Sequence, residues 1–321
     1  MNELFIIPIL AIHLLTLNLA SVGPVICIWL GYGKHTTNPW SDQIGKQLAW
    51  ASLAALLVGM LLGGLLWLPD NRALHAAISR FPARTYWYAA AELVFSLVLL
   101  YAYAATWNWR KNCRKPQRLL HSLLALMTVT NLLYHFPPLM VVIGKLAVNA
   151  HWAIDVVASG PIDHQGFLKL MLRGEVLALS MHFIVASLVV SAVTYLGLLA
   201  RSLKVLDSIP QDTPESTEMG STAPEQIQLA GRAANIAILG TLLQIPTGIW
   251  VLLTIPPASR QAVLGSNLPA NICFGVGIMT TLAFVQQLLL IAQGEFNRPA
   301  AKQSAWLLGL VVLLMVVTLR T

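Results

Sequence analysis

Charge is what this sequence has least of. Only 10% of its 321 residues are Asp, Glu, Lys or Arg, against about a quarter in a soluble domain, and 57% are hydrophobic. That balance excludes water as the main solvent. Cysteine is scarce too: Cys27, Cys113 and Cys273 form no C-x-x-C pair, so covalent c-type haem attachment and cysteine zinc sites have no support. The first apolar stretch has no basic residue ahead of it and no small-residue cleavage site behind it, so it reads as a retained helix rather than a signal peptide. The formal charge of +7 does not build a nucleic-acid surface. Basic residues cluster once, at Arg110, Lys111, Arg114, Lys115 and Arg118, and that cluster is a topology signal. Nucleic acid is therefore not an expected partner.

Long apolar runs are what the sequence has in place of charge. A bilayer core of about 30 Å takes about 20 apolar residues per helix, and eight stretches meet or approach that length: roughly 4–31, 47–68, 85–106, 119–145, 175–202, 229–254, 268–294 and 303–319. The expected fold is an all-α polytopic membrane protein of about eight transmembrane helices in two bundles. Residues 1–206 would form helices 1–5, 207–228 a disordered cytoplasmic linker rich in Ser, Thr, Pro and Glu, and 229–321 helices 6–8, completing the membrane site. The connection at 146–174 carries an amphipathic stretch near Phe167–Leu172, which fits a helix lying on the outer surface. With the basic cluster inside, the even number of helices places both termini outside a bacterial cytoplasmic membrane.

An ionisable residue inside a spanning helix is costly and marks a functional hypothesis. Four stand out: His13, Glu92, His135 and His182. Counted at about 1.5 Å per residue from the helix ends, all four fall in one outer layer. Neutral imidazole is a common iron ligand, and helical bundles build cofactor sites from inward side chains on facing helices. His35, His75, His151 and His164 fall in loops, and His121 near the inner end of helix 4 reads as solvated or interfacial. Gln244, Gln286 and Gln287 read first as interhelical hydrogen-bonding residues, with a quinone or proton path as the other reading.

The order of features resembles subunit I of the cytochrome bd quinol oxidases. The likeness rests on His13 followed by Gly23, Gly45-Lys46 and Gly59 in helix 2, Ala91-Glu92 in helix 3, and Thr130-Asn131-Leu132 in helix 4. It continues with His182 followed by Val185-Ala186-Ser187 in helix 5, and Ile278-Met279 in helix 7. The resemblance implies that His182 and Met279 ligate a low-spin b haem, that His13 ligates a haem of the oxygen-reducing pair, and that Glu92 is the catalytic carboxylate beside it. It implies two or more haems b, admits haem d and a quinone, and calls for a partner membrane subunit or homodimer with cytochrome c or quinol as redox partner.

The departures are as informative. The second helix 3 carboxylate of that family is Leu100 here, helix 8 from Ala305 to Leu319 has no acidic residue, Gly277 stands where an arginine is expected, and helices 6 and 7 lack the long quinol-binding loop. His135 is extra to the family pattern and is expected as a second ligand to the His13 iron, with Asn131 orienting it; the alternative is that His135 only bonds Glu92 or a backbone carbonyl. The leading expectation is thus a membrane electron-transfer subunit of a respiratory complex. The alternatives are a terminal oxidase reducing oxygen at the His13 haem, and a haem-free transporter or assembly scaffold.

Overall fold

The computed structural model describes residues 3–31, 39–67, 72–108, 115–157, 160–207 and 223–320. Eleven α-helices lie among them: α1 (Glu3–Gly31), α2 (Pro39–Leu66), α3 (Arg72–Ser79), α4 (Ala83–Ala105), α5 (Lys115–Val148), α6 (His164–Met171), α7 (Gly174–Asp207), α8 (Ala223–Thr254), α9 (Pro257–Gln261), α10 (Leu268–Ala292) and α11 (Arg298–Arg320). Eight of them, α1, α2, α4, α5, α7, α8, α10 and α11, are long and apolar enough to cross a membrane. The chain is a multi-pass, all-α membrane protein. Arg110, Lys111, Arg114, His35, Cys113 and most of the expected linker lie outside the described residues, while 223–228 are already the start of α8.

The eight long helices close into two rings of four. In the first, α1 packs on α2, α2 on α4, α4 on α5 and α5 back on α1. In the second, α7 packs on α8, α8 on α10, α10 on α11 and α11 back on α7. Two bundles are present as expected, but α7 closes the second ring instead of ending the first. The rings join along α1 and α7, and one hydrophobic core runs through both, from Ile26, Leu48 and Tyr103 to Tyr195, Ala233, Phe284 and Leu288.

Helices approach closely in a bilayer where small residues let their backbones meet. The α1–α2 contact is built this way. A Cβ at Gly23 would sit 2.1 Å from Ser52 Oγ, and one at Gly59 would sit 2.7 Å from Leu17 Cδ2. The turn from α10 to α11 is set by Gly294, whose φ of 105° suits glycine, and by Asn297, whose side-chain oxygen accepts from the Ala300 amide at 2.8 Å.

One end of the molecule is capped by α3 and α6. Asp163 caps α6 by accepting from the Gly166 amide at 2.7 Å, and Phe81, Phe167, Leu170, Ile162 and Val176 form a second small core against the end of α5. The α6 helix matches the amphipathic stretch expected near Phe167; α3 was not anticipated. A polar network seals this cap. Lys145 Nζ lies 2.8 Å from Glu175 Oε2, Arg173 reaches Asp155 at 3.0 Å and stacks over Trp152, and Trp152 Nε1 donates to Glu175. Since successive long helices alternate in direction, both α1 and α11 have their chain termini at this capped end.

Candidate functional site

Packing density differs between the two halves of the rings. On α4 the buried residues are Ser96, Leu99, Leu100, Tyr103 and Ala104, all in the half away from the cap. On α8, burial stops at Thr241, and on α10 it runs from Thr280 to Ile291 with Ala270 alone nearer the cap. On these three helices the half nearer the cap is the more exposed, whereas α5 and α7 bury Leu139, Val142, Ile143, Val176 and Ala178 there. That half is also where the ionisable residues lie.

Glu92 and His135 face each other across α4 and α5, with His135 Nδ1 2.9 Å from Glu92 Oε1. Helical periodicity puts Glu92 on the face that carries Ser96, Leu100 and Tyr103 lower down, so it points inward. Even so, His135 and Glu92 remain 25% and 28% exposed. Asn131, one turn below His135, donates to the Glu92 carbonyl at 2.8 Å and to Ser96 Oγ at 2.7 Å. Asn131 therefore fixes α4 against α5 and orients His135 only through Glu92. Phe167 of the cap stacks on the His135 ring at 6.0 Å, with an interplanar angle of 19°.

His13 lies over the glycines of α2. Its Nδ1 is 2.9 Å from the Gly59 carbonyl oxygen, and a Cβ at Gly63 would come within 2.9 Å of its Cε1. Only glycine leaves the ring that room.

His182 is different. Its Nδ1 is buried with no hydrogen-bond partner, and so is Gln244 Oε1 on the neighbouring α8, while Gln244 Nε2 donates to the His182 carbonyl at 3.0 Å. One turn further from the cap, Ser187 Oγ donates to Asn18 Oδ1 at 2.7 Å. His13 and His182 stand five residues capward of Asn18 and Ser187 on parallel helices, which puts them level. The Lys145–Glu175 pair adds α5 to this register, with His135 about 15 Å and His182 about 10 Å below it.

Met279 does not join this group directly. It is 66% exposed, on the face of α10 opposite Phe284 and Leu288, and lines a groove of about 580 Å³ with Leu307 and Leu310 of α11. His121, read from the sequence as solvated or interfacial, is buried. Its Nε2–H donates to the Tyr103 carbonyl oxygen at 3.0 Å, and the ring packs on Tyr103 and Trp107. The aromatic company of Tyr103 and Trp107 was not visible in its local sequence. Among the described residues no group of three or more His, Cys, Asp or Glu is placed to hold a metal ion. A haem needs no such group, since it takes one side chain on each face.

The donor chemistry of the histidines fits haem iron. An iron-ligating imidazole presents one bare nitrogen while the other is bonded to a carbonyl or carboxylate. His13 and His135 are each held in that way through Nδ1, by Gly59 O and by Glu92, which leaves Nε2 as the free nitrogen. Comparison with protein-family models, with curated proteins and with solved structures finds no match.

Proposed function

We propose that this chain is a haem-b-binding membrane subunit that relays electrons in a respiratory complex of a bacterial cytoplasmic membrane. The observation that carries this reading is the pair His13 and His135, in the half of one ring nearer the cap and about 5 Å apart in depth, each with Nδ1 engaged and Nε2 free. They would hold one haem between them. His182 would hold a second in the other ring. The resemblance to subunit I of the bd oxidases pairs Met279 with His182, although Met279 stands on the outward face of α10.

Bound haem supplies reversible one-electron chemistry at iron. The rest falls to the chain. Gly59 O fixes the tautomer of His13, Glu92 fixes that of His135, and the surrounding apolar helices exclude water. A haem held by both His13 and His135 would carry electrons and leave gases unbound, which separates this reading from the terminal-oxidase alternative. Electrons would enter from cytochrome c or quinol and leave through a partner membrane subunit or a second copy, with both termini outside. A reduced-minus-oxidised optical spectrum of the purified protein tests this. A low-spin b-type spectrum is expected, and protein purified from haem-replete membranes without haem would overturn it.

A further inference from the structure

The groove beside Met279 has a polar mouth and an apolar run. It begins at Asn271 in the first turn of α10, passes Gly275 and Met279 to Ala283, and is walled on its other side by Leu307 and Leu310 of α11. Asn271 and Ala283 are about 18 Å apart along the helix, and the hydrocarbon of one leaflet is about 15 Å deep. The groove therefore runs from the capped surface to about the middle of the bilayer. Its floor is open at Gly275, where an added Cβ would meet nothing within 4 Å. The Thr280 hydroxyl is spent on the Val276 carbonyl of its own helix at 2.8 Å, so below the mouth the walls offer a ligand apolar contact.

At the mouth, Asn271 Nδ2 donates to the Val263 carbonyl at 3.4 Å, which ties the connection between α8 and α10 to the groove. Arg260 lies three residues before Val263, within about one helical turn. It is partly buried and has no hydrogen-bond or ion-pair partner among the described residues. The chain supplies no acid nearby, since no Asp or Glu occurs between Glu225 and Glu295, both toward the far end of the long helices. A cation partly withdrawn from water calls for an anion. We propose that this groove binds an anionic phospholipid of the leaflet at the capped end, with one acyl chain along Gly275, Met279 and Ala283 and the phosphate held by Arg260 and the second N–H of the Asn271 amide. Basic pockets between transmembrane helices take anionic lipid headgroups in this way. A neutral quinone would leave Arg260 unpaired, and a partner helix would need a groove crossing both leaflets. The proposal does not depend on haem.

The test is native mass spectrometry of the full-length protein in mild detergent, offered phosphatidylglycerol and phosphatidylcholine with the same acyl chains in equal amounts. Wild type should retain one tightly held phosphatidylglycerol, preferred over phosphatidylcholine by about fivefold, the effect of one basic side chain at a membrane surface. Arg260→Ala should bring that preference to about one. Gly275→Leu fills the groove without a clash and should cut retention of both lipids by roughly tenfold. If Gly275→Leu does not fold, the preference in Arg260→Ala decides. Wild type that retains no lipid, that holds the two lipids equally, or that carries a quinone or a second polypeptide in the lipid's place overturns the proposal. So does Gly275→Leu with undiminished lipid, or Arg260→Ala with undiminished preference.

Discussion

Asn18 and Ser187 share a buried hydrogen bond of 2.7 Å where α1 meets α7, the line along which the two rings join. Ser187 Oγ also lies 2.9 Å from the Phe183 carbonyl, so one hydroxyl proton serves two acceptors. Ser187→Ala removes the donor to Asn18, leaving an orphaned amide oxygen that costs about 1–3 kcal/mol. A double-mutant cycle with Asn18→Ala, followed by unfolding in detergent, should give a coupling near the membrane-protein average of about 0.6 kcal/mol. A coupling of zero would mean that the helices are held in register by something else.

Gly63 leaves His13 its position. A methyl group there would sit 2.9 Å from the ring, closer than carbon atoms approach in packed structures, so Gly63→Ala should displace the imidazole from the Gly59 carbonyl. The expected result is an altered spectrum for one haem of two, with the His182 haem unaffected. Unaltered spectra throughout would show that His13 is not an iron ligand.

If His135 shares the His13 iron as proposed, it closes that site to gases. Wild-type protein in the reduced state should be unreactive toward carbon monoxide, and His135→Ala should bind it, because removing one axial imidazole opens the iron. Flash photolysis reads both. Ready binding by the wild type would favour the oxidase alternative, with Glu92 as its carboxylate.

Eight crossings leave the two termini on one side. Reporters fused before Glu3 and after Arg320 should therefore respond alike, and the positive-inside argument places both outside. Activity of the carboxyl-terminal fusion only in the cytoplasm would invert the orientation.

Much of this architecture is legible in the sequence, for a simple reason: hydrocarbon demands long apolar helices, so their number and bounds follow from composition. The position of α7 was not legible, because which helices neighbour one another depends on packing faces that eight nearly uniform apolar runs do not distinguish. Counting residues puts His135 and Glu92 near one depth and leaves a bond between them open as one of two readings; a depth count cannot decide it, since helix rotation is absent from it, and the structure shows the contact at 2.9 Å. Asn131 is expected to orient His135; it bonds the Glu92 carbonyl and Ser96 Oγ on α4, and so reaches His135 only by way of Glu92. His121 was misjudged because its burial comes from Tyr103 on another helix. Gln244 reads first as an interhelical hydrogen-bonding residue, and its bond to the His182 carbonyl agrees with that.

The most direct test of the central claim is the haem content of purified protein, measured by pyridine haemochrome in wild type, His13→Ala and His182→Ala. If each ring holds its own haem, the wild type carries about two per chain and each variant about one, with different absorption bands lost in the two variants. A wild type without haem, or variants that keep the full complement, would contradict the account.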